Sequence, residues 1–294
     1  MMKFIKSNIL LLAIIALFSC NSQPKSDKET IMVTIEPLRY FTESIVGNQF
    51  QVISMVPKGS SPETYDPTPQ QLIELSKSKL YLKIGYIGFE LSWMDKIQSN
   101  APHLNIIDTS IGINYIHGKG HNHGDHYHEG GIEPHVWNST ENAKIIAQNI
   151  LQAVIRLDSE NKDLYESNYK NLIGLIEDTN TAVQSILTRD GVAKGFMIYH
   201  PALSYFARDY GLQQISIEED GKEPTPAHLK MLIKKSKELN IHTIFIQPEF
   251  DKKNAEVIAK ETKSKVIGIN PLAYDWSEEL IKTAKALVNT PDLK

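Results

Sequence analysis

Six of the ten histidines in this 294-residue chain lie between positions 117 and 135. His117, His121, His123, His126 and His128 fall in a glycine-rich run, and His135 follows in the compact segment Glu133-Pro134-His135-Val136-Trp137. Neutral imidazole is a ligand for zinc, copper, nickel and iron, so a cluster of this density points to transition-metal chemistry. Two other places share that character. His200 closes the apolar run Gly195-Phe196-Met197-Ile198-Tyr199, and the turn-rich loop at residues 59–67 follows the run Phe50-Gln51-Val52-Ile53-Ser54-Met55-Val56. In open α/β sheets ligands bind beyond the carboxyl ends of the strands, so these loops and the His135 segment are expected to open on one cleft.

Within the histidine run, His121, His123, Asp125 and His126 form a His-x-His-x-Asp-His pattern. It resembles the dinuclear zinc motif of metallo-β-lactamase-fold hydrolases, where zinc turns bound water into a nucleophile. His200 and His242 are the available later ligands for that alternative. In those enzymes the motif follows directly on an apolar strand. Here Gly118 and Gly120 precede it and Gly130 and Gly131 follow it, which describes a flexible loop that binds metal weakly by composition.

The elements that must position these residues are legible in the apolar pattern. Ile31–Ile35, Phe50–Val56, Leu80–Ile84 and Leu104–Ile107 read as strands, with helical patterns after the first at Tyr40, after Pro69 and from Glu90 to Ile97. Asn138, three residues before Glu141, resembles a capping box opening a helix that carries Ile146, Ile150 and Val154. A second helical pattern, with Leu164, Leu172, Ile176, Val183 and Ile186, predicts a helix over 161–189 about 40 Å long, a rigid connector between two lobes. Strands then resume at Gly195–Tyr199, Ile215–Ile217, Ile241–Ile246 and Lys265–Ile269, with a helix at 201–210. The segment Asp66-Pro67-Thr68-Pro69-Gln70-Gln71-Leu72 matches Glu223-Pro224-Thr225-Pro226-Ala227-His228-Leu229, and the pairs Tyr40-Phe41 and Tyr205-Phe206 sit upstream in the same order. The expected fold is therefore α/β, with two similar lobes, each a parallel sheet with flanking helices, joined by one long helix. The boundaries are 31–160 for the first lobe, including a His-rich loop at 117–131, then 161–189 for the linker and 190–294 for the second lobe.

Composition narrows the partners. A net charge of −4, with 41% hydrophobic and 22% charged residues, describes a globular protein with no electrostatic case for nucleic acid. The N-terminus joins Lys3 and Lys6 to an apolar run over residues 9–18, too short to span a bilayer and typical of a signal peptide, here 1–19. It ends in Leu17-Phe18-Ser19-Cys20, which resembles a bacterial lipobox. That implies lipidation of Cys20, the only cysteine, and a polar tether over 20–30 that anchors the chain outside the cytoplasm.

Taken together, three segments resemble the metal-binding solute-binding proteins of zinc and manganese ABC importers, solute-binding protein family 9. They are Gly59-Ser60-Ser61-Pro62-Glu63-Thr64-Tyr65-Asp66-Pro67, Glu133-Pro134-His135-Val136-Trp137 and Tyr199-His200 followed by Tyr205-Phe206. The Glu-Pro-Thr-Pro turn at Glu223 and Asn270-Pro271-Leu272 add to them. The resemblance implies a monomeric receptor rather than an enzyme, carrying Zn²⁺, or Mn²⁺ as the alternative, to a permease and its ATPase. It implies His135 and His200 as nitrogen ligands and Glu63 where the family usually has His. Asn270 stands where an acidic ligand is common, with Asp275 as a substitute. The His-rich loop falls where zinc-binding members carry one.

Overall fold

The computed structural model describes residues 28–118, 121–123, 126–128, 131–219 and 221–288. The signal peptide, Cys20 and most of the tether lie outside them. The chain forms two four-stranded parallel sheets. The first orders β2 (Gln51–Ser54), β1 (Thr30–Val33), β3 (Leu80–Lys83) and β4 (Asn105–Asp108). The second orders β8 (Gln213–Ser216), β7 (Gly195–Ile198), β9 (Thr243–Ile246) and β10 (Lys265–Gly268). Each sheet thus runs second, first, third, fourth strand in its own sequence order. The central strands β1, β3, β7 and β9 are near-continuous apolar runs buried on both faces, and the edge strands are partly exposed, as helices on both sides of a parallel sheet require.

The helices are α1 (Glu36–Val46), α2 (Pro69–Lys77), α3 (Gly88–Asn100), α4 (Thr140–Leu157), α5 (Lys162–Leu187), α6 (Ser204–Asp209), α7 (Pro226–Glu238), α8 (Lys253–Thr262) and α9 (Trp276–Ala286). The two matched Pro-Thr-Pro turns do the same work in both lobes. Thr68 caps α2 by accepting from the Gln71 N–H at 3.3 Å, and Thr225 caps α7 by accepting from the His228 N–H at 3.2 Å. Pro69 and Pro226 follow at the first helical position, where a missing N–H costs nothing.

α5 is the expected long helix, 26 residues or about 39 Å. It is more than a connector. Its buried face, including Leu172, Ile176, Val183 and Ile186, packs on α4, on α1 of the first lobe and on α9 of the second. Polar ties reinforce both contacts. The Asn168 amide donates to the Ile45 carbonyl at 2.9 Å, and the Thr179 and Ser277 hydroxyls pair at 2.6 Å. Two sequence expectations shift by one residue. Leu164 is partly exposed while Tyr165 is buried, because Tyr165, two turns before Leu172, is the residue in line with the buried face. Ser139, not Asn138, caps α4, accepting from the Asn142 N–H at 3.1 Å. Asn138 instead donates to the Ala202 carbonyl across the lobes at 2.9 Å.

One apolar core runs through both lobes, and a smaller one lies under α7 and α8. At the junction of the lobes Trp137 and Trp276 are both fully enclosed. The Trp137 indole donates to the Pro271 carbonyl at 2.8 Å, and the Trp276 indole donates to the Trp137 carbonyl at 2.7 Å. Trp137→Phe keeps an aromatic ring but leaves a buried carbonyl unpaired, so urea unfolding is expected to show a loss of about 1–3 kcal/mol.

Candidate metal centre

Glu63 comes from the loop after β2. Its backbone is clamped to the start of α3, where Phe89 N–H donates to the Pro62 carbonyl at 2.9 Å. Gly88 N–H donates to Glu63 Oε2 at 3.0 Å. Only glycine fits there, since a Cβ on residue 88 would lie 2.3 Å from the Glu63 carbonyl oxygen. The other carboxylate oxygen, Oε1, is buried without a hydrogen-bond partner. An unpaired buried carboxylate oxygen is costly, so this atom is placed for a cation.

His135 sits just before the single helical turn Val136–Asn138 and is 5% exposed. The Glu133 carboxylate accepts from its Nδ1 and from its backbone N–H, the latter at 3.1 Å. Glu133 is in turn held by the Ser204 hydroxyl at 2.9 Å, and its carbonyl accepts from the Tyr205 hydroxyl at 2.8 Å. Burial opposes a charge on His135, but the Glu133 carboxylate against Nδ1, with Glu63 and Glu218 further off, outweighs it and raises the imidazole pKa. Burial likewise pushes the Glu133 carboxyl upward, and the facing His135 more than reverses it.

His200 follows β7 and is fixed on three sides. Gln247 accepts from its N–H at 3.3 Å and donates to its carbonyl at 2.6 Å. Glu218 Oε1 lies 2.8 Å from Nδ1, and the Phe250 ring stacks on the imidazole with centroids 5.4 Å apart. Both histidines therefore give Nδ1 to a carboxylate and direct Nε2 inward, the arrangement that fixes tautomer and aim in metal sites. The two Nε2 atoms face each other at 3.1 Å, and His135 Nε2 is 4.0 Å from Glu63 Oε1. One donor atom from each of Glu63, His135 and His200 falls within 4.8 Å of the others, and no second such cluster exists among the described residues.

These atoms line a cavity of about 30 Å³, closed by Ser61, Pro62, Trp137, Ala202, Phe250 and Leu272. Gln247, Glu249 and Pro271 also reach it. That volume suits one ion or one water, and Glu63, His135 and His200 also border a larger, more open pocket of about 350 Å³ with Thr64, Glu133 and Glu218. Burial raises the Glu249 carboxyl, with His200 opposing.

Asn270 and Asp275 are not in this cluster. They line a separate pocket with Glu36, Lys58 and Tyr274. The Asn270 side chain folds back to accept from the Leu272 N–H at 3.1 Å, a local turn that occupies its oxygen. Leu272 and Pro271, not Asn270, reach the cavity. The histidine run behaves as a separate unit. Exposed His117 forms a backbone bridge with Ile132, and β5 (His121–His123) pairs antiparallel with β6 (His126–His128), His121 opposite His128 and His123 opposite His126. Asp125 lies outside the described residues. His121, His123 and His126 thus sit on two three-residue strands rather than after a core strand. Glu133, Glu218, Gln247 and Gly88 hold the donors, and none was singled out from sequence. Glu133 was visible two residues before His135, whereas Glu218 meets His200 only because β8 pairs with β7.

The fold and cleft define a two-lobed α/β binding protein with a two-histidine, one-carboxylate cluster between the lobes. Residues 31–290 match the family model described as ZnuA, zinc-uptake complex component A, periplasmic, and the chain belongs to that family. It is 27% identical over 268 residues to the high-affinity zinc uptake system protein ZnuA of Bacillus subtilis (strain 168), covering 88% of this chain and 83% of that one. It is 26% identical over 272 residues to the manganese ABC transporter substrate-binding lipoprotein PsaA of Streptococcus anginosus, covering 86% and 84%. A crystal structure of ZnuA superposes with a TM-score of 0.82 at 36% identity, covering 90% of this chain and 99% of that one. A zinc-bound deletion mutant of ZnuA gives 0.81 at 36% identity, covering 90% and 100%. The family is a substrate-binding component of transporters, so the hydrolase alternative at His121, His123, Asp125 and His126 falls.

Gly88→Ala tests the clamp on Glu63. The added methyl forces the Glu63 backbone away, and unfolding is expected to show about 1–3 kcal/mol of destabilisation.

Proposed function

We propose that this chain is an extracytoplasmic receptor that binds Zn²⁺ in the cleft and delivers it to an ABC permease driven by its ATPase. The observation that carries this reading is the convergence of Glu63, His135 and His200 on an ion-sized cavity, with each imidazole oriented by its own carboxylate. Zinc is bound by nitrogen and oxygen donors in near-tetrahedral sites, which two imidazoles and a carboxylate begin to build. Glu63 and His135 belong to the proposed first lobe, 31–160, and His200 to the second, 190–294. Binding across the cleft restrains the lobes, and helix 161–189, packed on both, limits the hinge to small movements. Nothing in this role requires turnover. The same role for Mn²⁺ is the second reading, favoured by the carboxylate at Glu63, since manganese prefers oxygen donors. Lipidation of Cys20 supplies the membrane anchor in this reading, and the protein acts as a monomer.

Chelator competition tests the site. His135→Ala and His200→Ala are each expected to lower zinc affinity by at least about 100-fold, and unchanged affinity in both refutes the site. Equilibrium dialysis on a chain lacking residues 117–128 is expected to retain one tight zinc site per molecule. Loss of all tight binding on that deletion would move the function to the histidine run.

A further inference from the structure

The cluster supplies three donors, and zinc in a closed protein site takes four. The residues that line the cavity and the larger pocket beside it limit where the fourth can come from, and Thr64, in the larger one, offers only a neutral hydroxyl. Pro62, Trp137, Ala202, Phe250, Pro271 and Leu272 offer it no side-chain oxygen. Ser61 is a neutral hydroxyl that lies 3.4 Å from the Glu63 N–H and accepts from it. Gln247 spends both ends of its amide on the His200 backbone. Glu133 and Glu218 are committed to the Nδ1 atoms behind the two imidazoles. Glu249 remains, a carboxylate on the cavity wall that no other contact of the site requires.

We propose that Glu249 supplies the fourth, carboxylate donor to the cleft ion, an assignment that rests on the reading of the cleft as a zinc site. Its position is set by the loop between β9 and α8. The next residue, Phe250, stacks on His200 at 5.4 Å and on Tyr199 at 5.0 Å, which registers this loop against the second histidine. The carboxylate is half-buried and close enough for the charge of His200 to act on it. It stands outside the three-atom cluster, so it engages through rotation of a side chain with three torsions while the backbone stays in place. The ion then meets Glu63 from one lobe and Glu249 from the other, as it meets His135 and His200. Both lobes thereby gain a nitrogen and an oxygen donor.

The test compares wild type, Glu249→Gln and His135→Ala by zinc affinity, from chelator competition, and by the visible absorption of the Co²⁺-loaded protein, which reports coordination number and donor type. Glu249→Gln is expected to lower zinc affinity about 10-fold or more and to change the Co²⁺ bands. Unchanged affinity and unchanged bands in Glu249→Gln, with binding abolished in His135→Ala, overturn the role of Glu249 and leave the zinc receptor standing. Unchanged affinity in both variants overturns the receptor reading together with this one.

Discussion

The cleft depends on two imidazoles that face each other, Nε2 to Nε2, at 3.1 Å. Each has its Nδ1 against a carboxylate, His135 against Glu133 and His200 against Glu218, so each Nε2 is an acceptor. Two acceptors at that separation repel unless a proton or a metal ion lies between them. The buried, unpartnered Glu63 Oε1 beside them adds a third demand for positive charge. In the proposed reading a bound cation relieves this crowding of acceptors. The carboxylates behind the imidazoles fix their aim, and Glu133 raises the pKa of His135.

Holding such a site requires that the lobes keep their separation to within fractions of an ångström. Glu63 follows the carboxyl end of β2 and His200 that of β7, so each sheet brings one donor loop to the cleft from the end of a strand. Trp137 and Trp276 tie the lobes immediately beside the donors, through paired indole–carbonyl hydrogen bonds and full burial. Further out, α5 packs against α1 and α9, the opening helix of one lobe and the closing helix of the other. Contacts of one helix with both lobes oppose the wide domain opening that a larger ligand needs.

Much of this was legible in the sequence. Short continuous apolar runs and period-3.6 apolar patterns gave the strand and helix alternation, and the repeated Pro-Thr-Pro turns were visible because proline at a helix start leaves a fixed signature. His200 stood out at the end of an apolar run, whereas His135 and Glu63 were reached through the segments that resemble the family, Glu63 at the position where it usually has histidine. What stayed hidden depended on the third dimension. Glu218 meets His200 through the pairing of β8 with β7, and Gly88 touches Glu63 across 25 residues of chain. The Asn270 side chain serves its own turn and stands outside the three-donor cluster, a placement that its sequence position does not reveal. Conspicuousness was a poor guide as well. The dense histidine run pairs with itself as a small hairpin, while the single histidine after it lies in the core of the cleft.

The central claim is that one ion is held between the lobes by these side chains. Anomalous diffraction at the zinc absorption edge, from crystals of the protein loaded with one equivalent of Zn²⁺, tests it most directly. One strong peak is expected within bonding distance of Glu63, His135 and His200. A single peak on the histidine hairpin, with the cleft free of anomalous density, contradicts it.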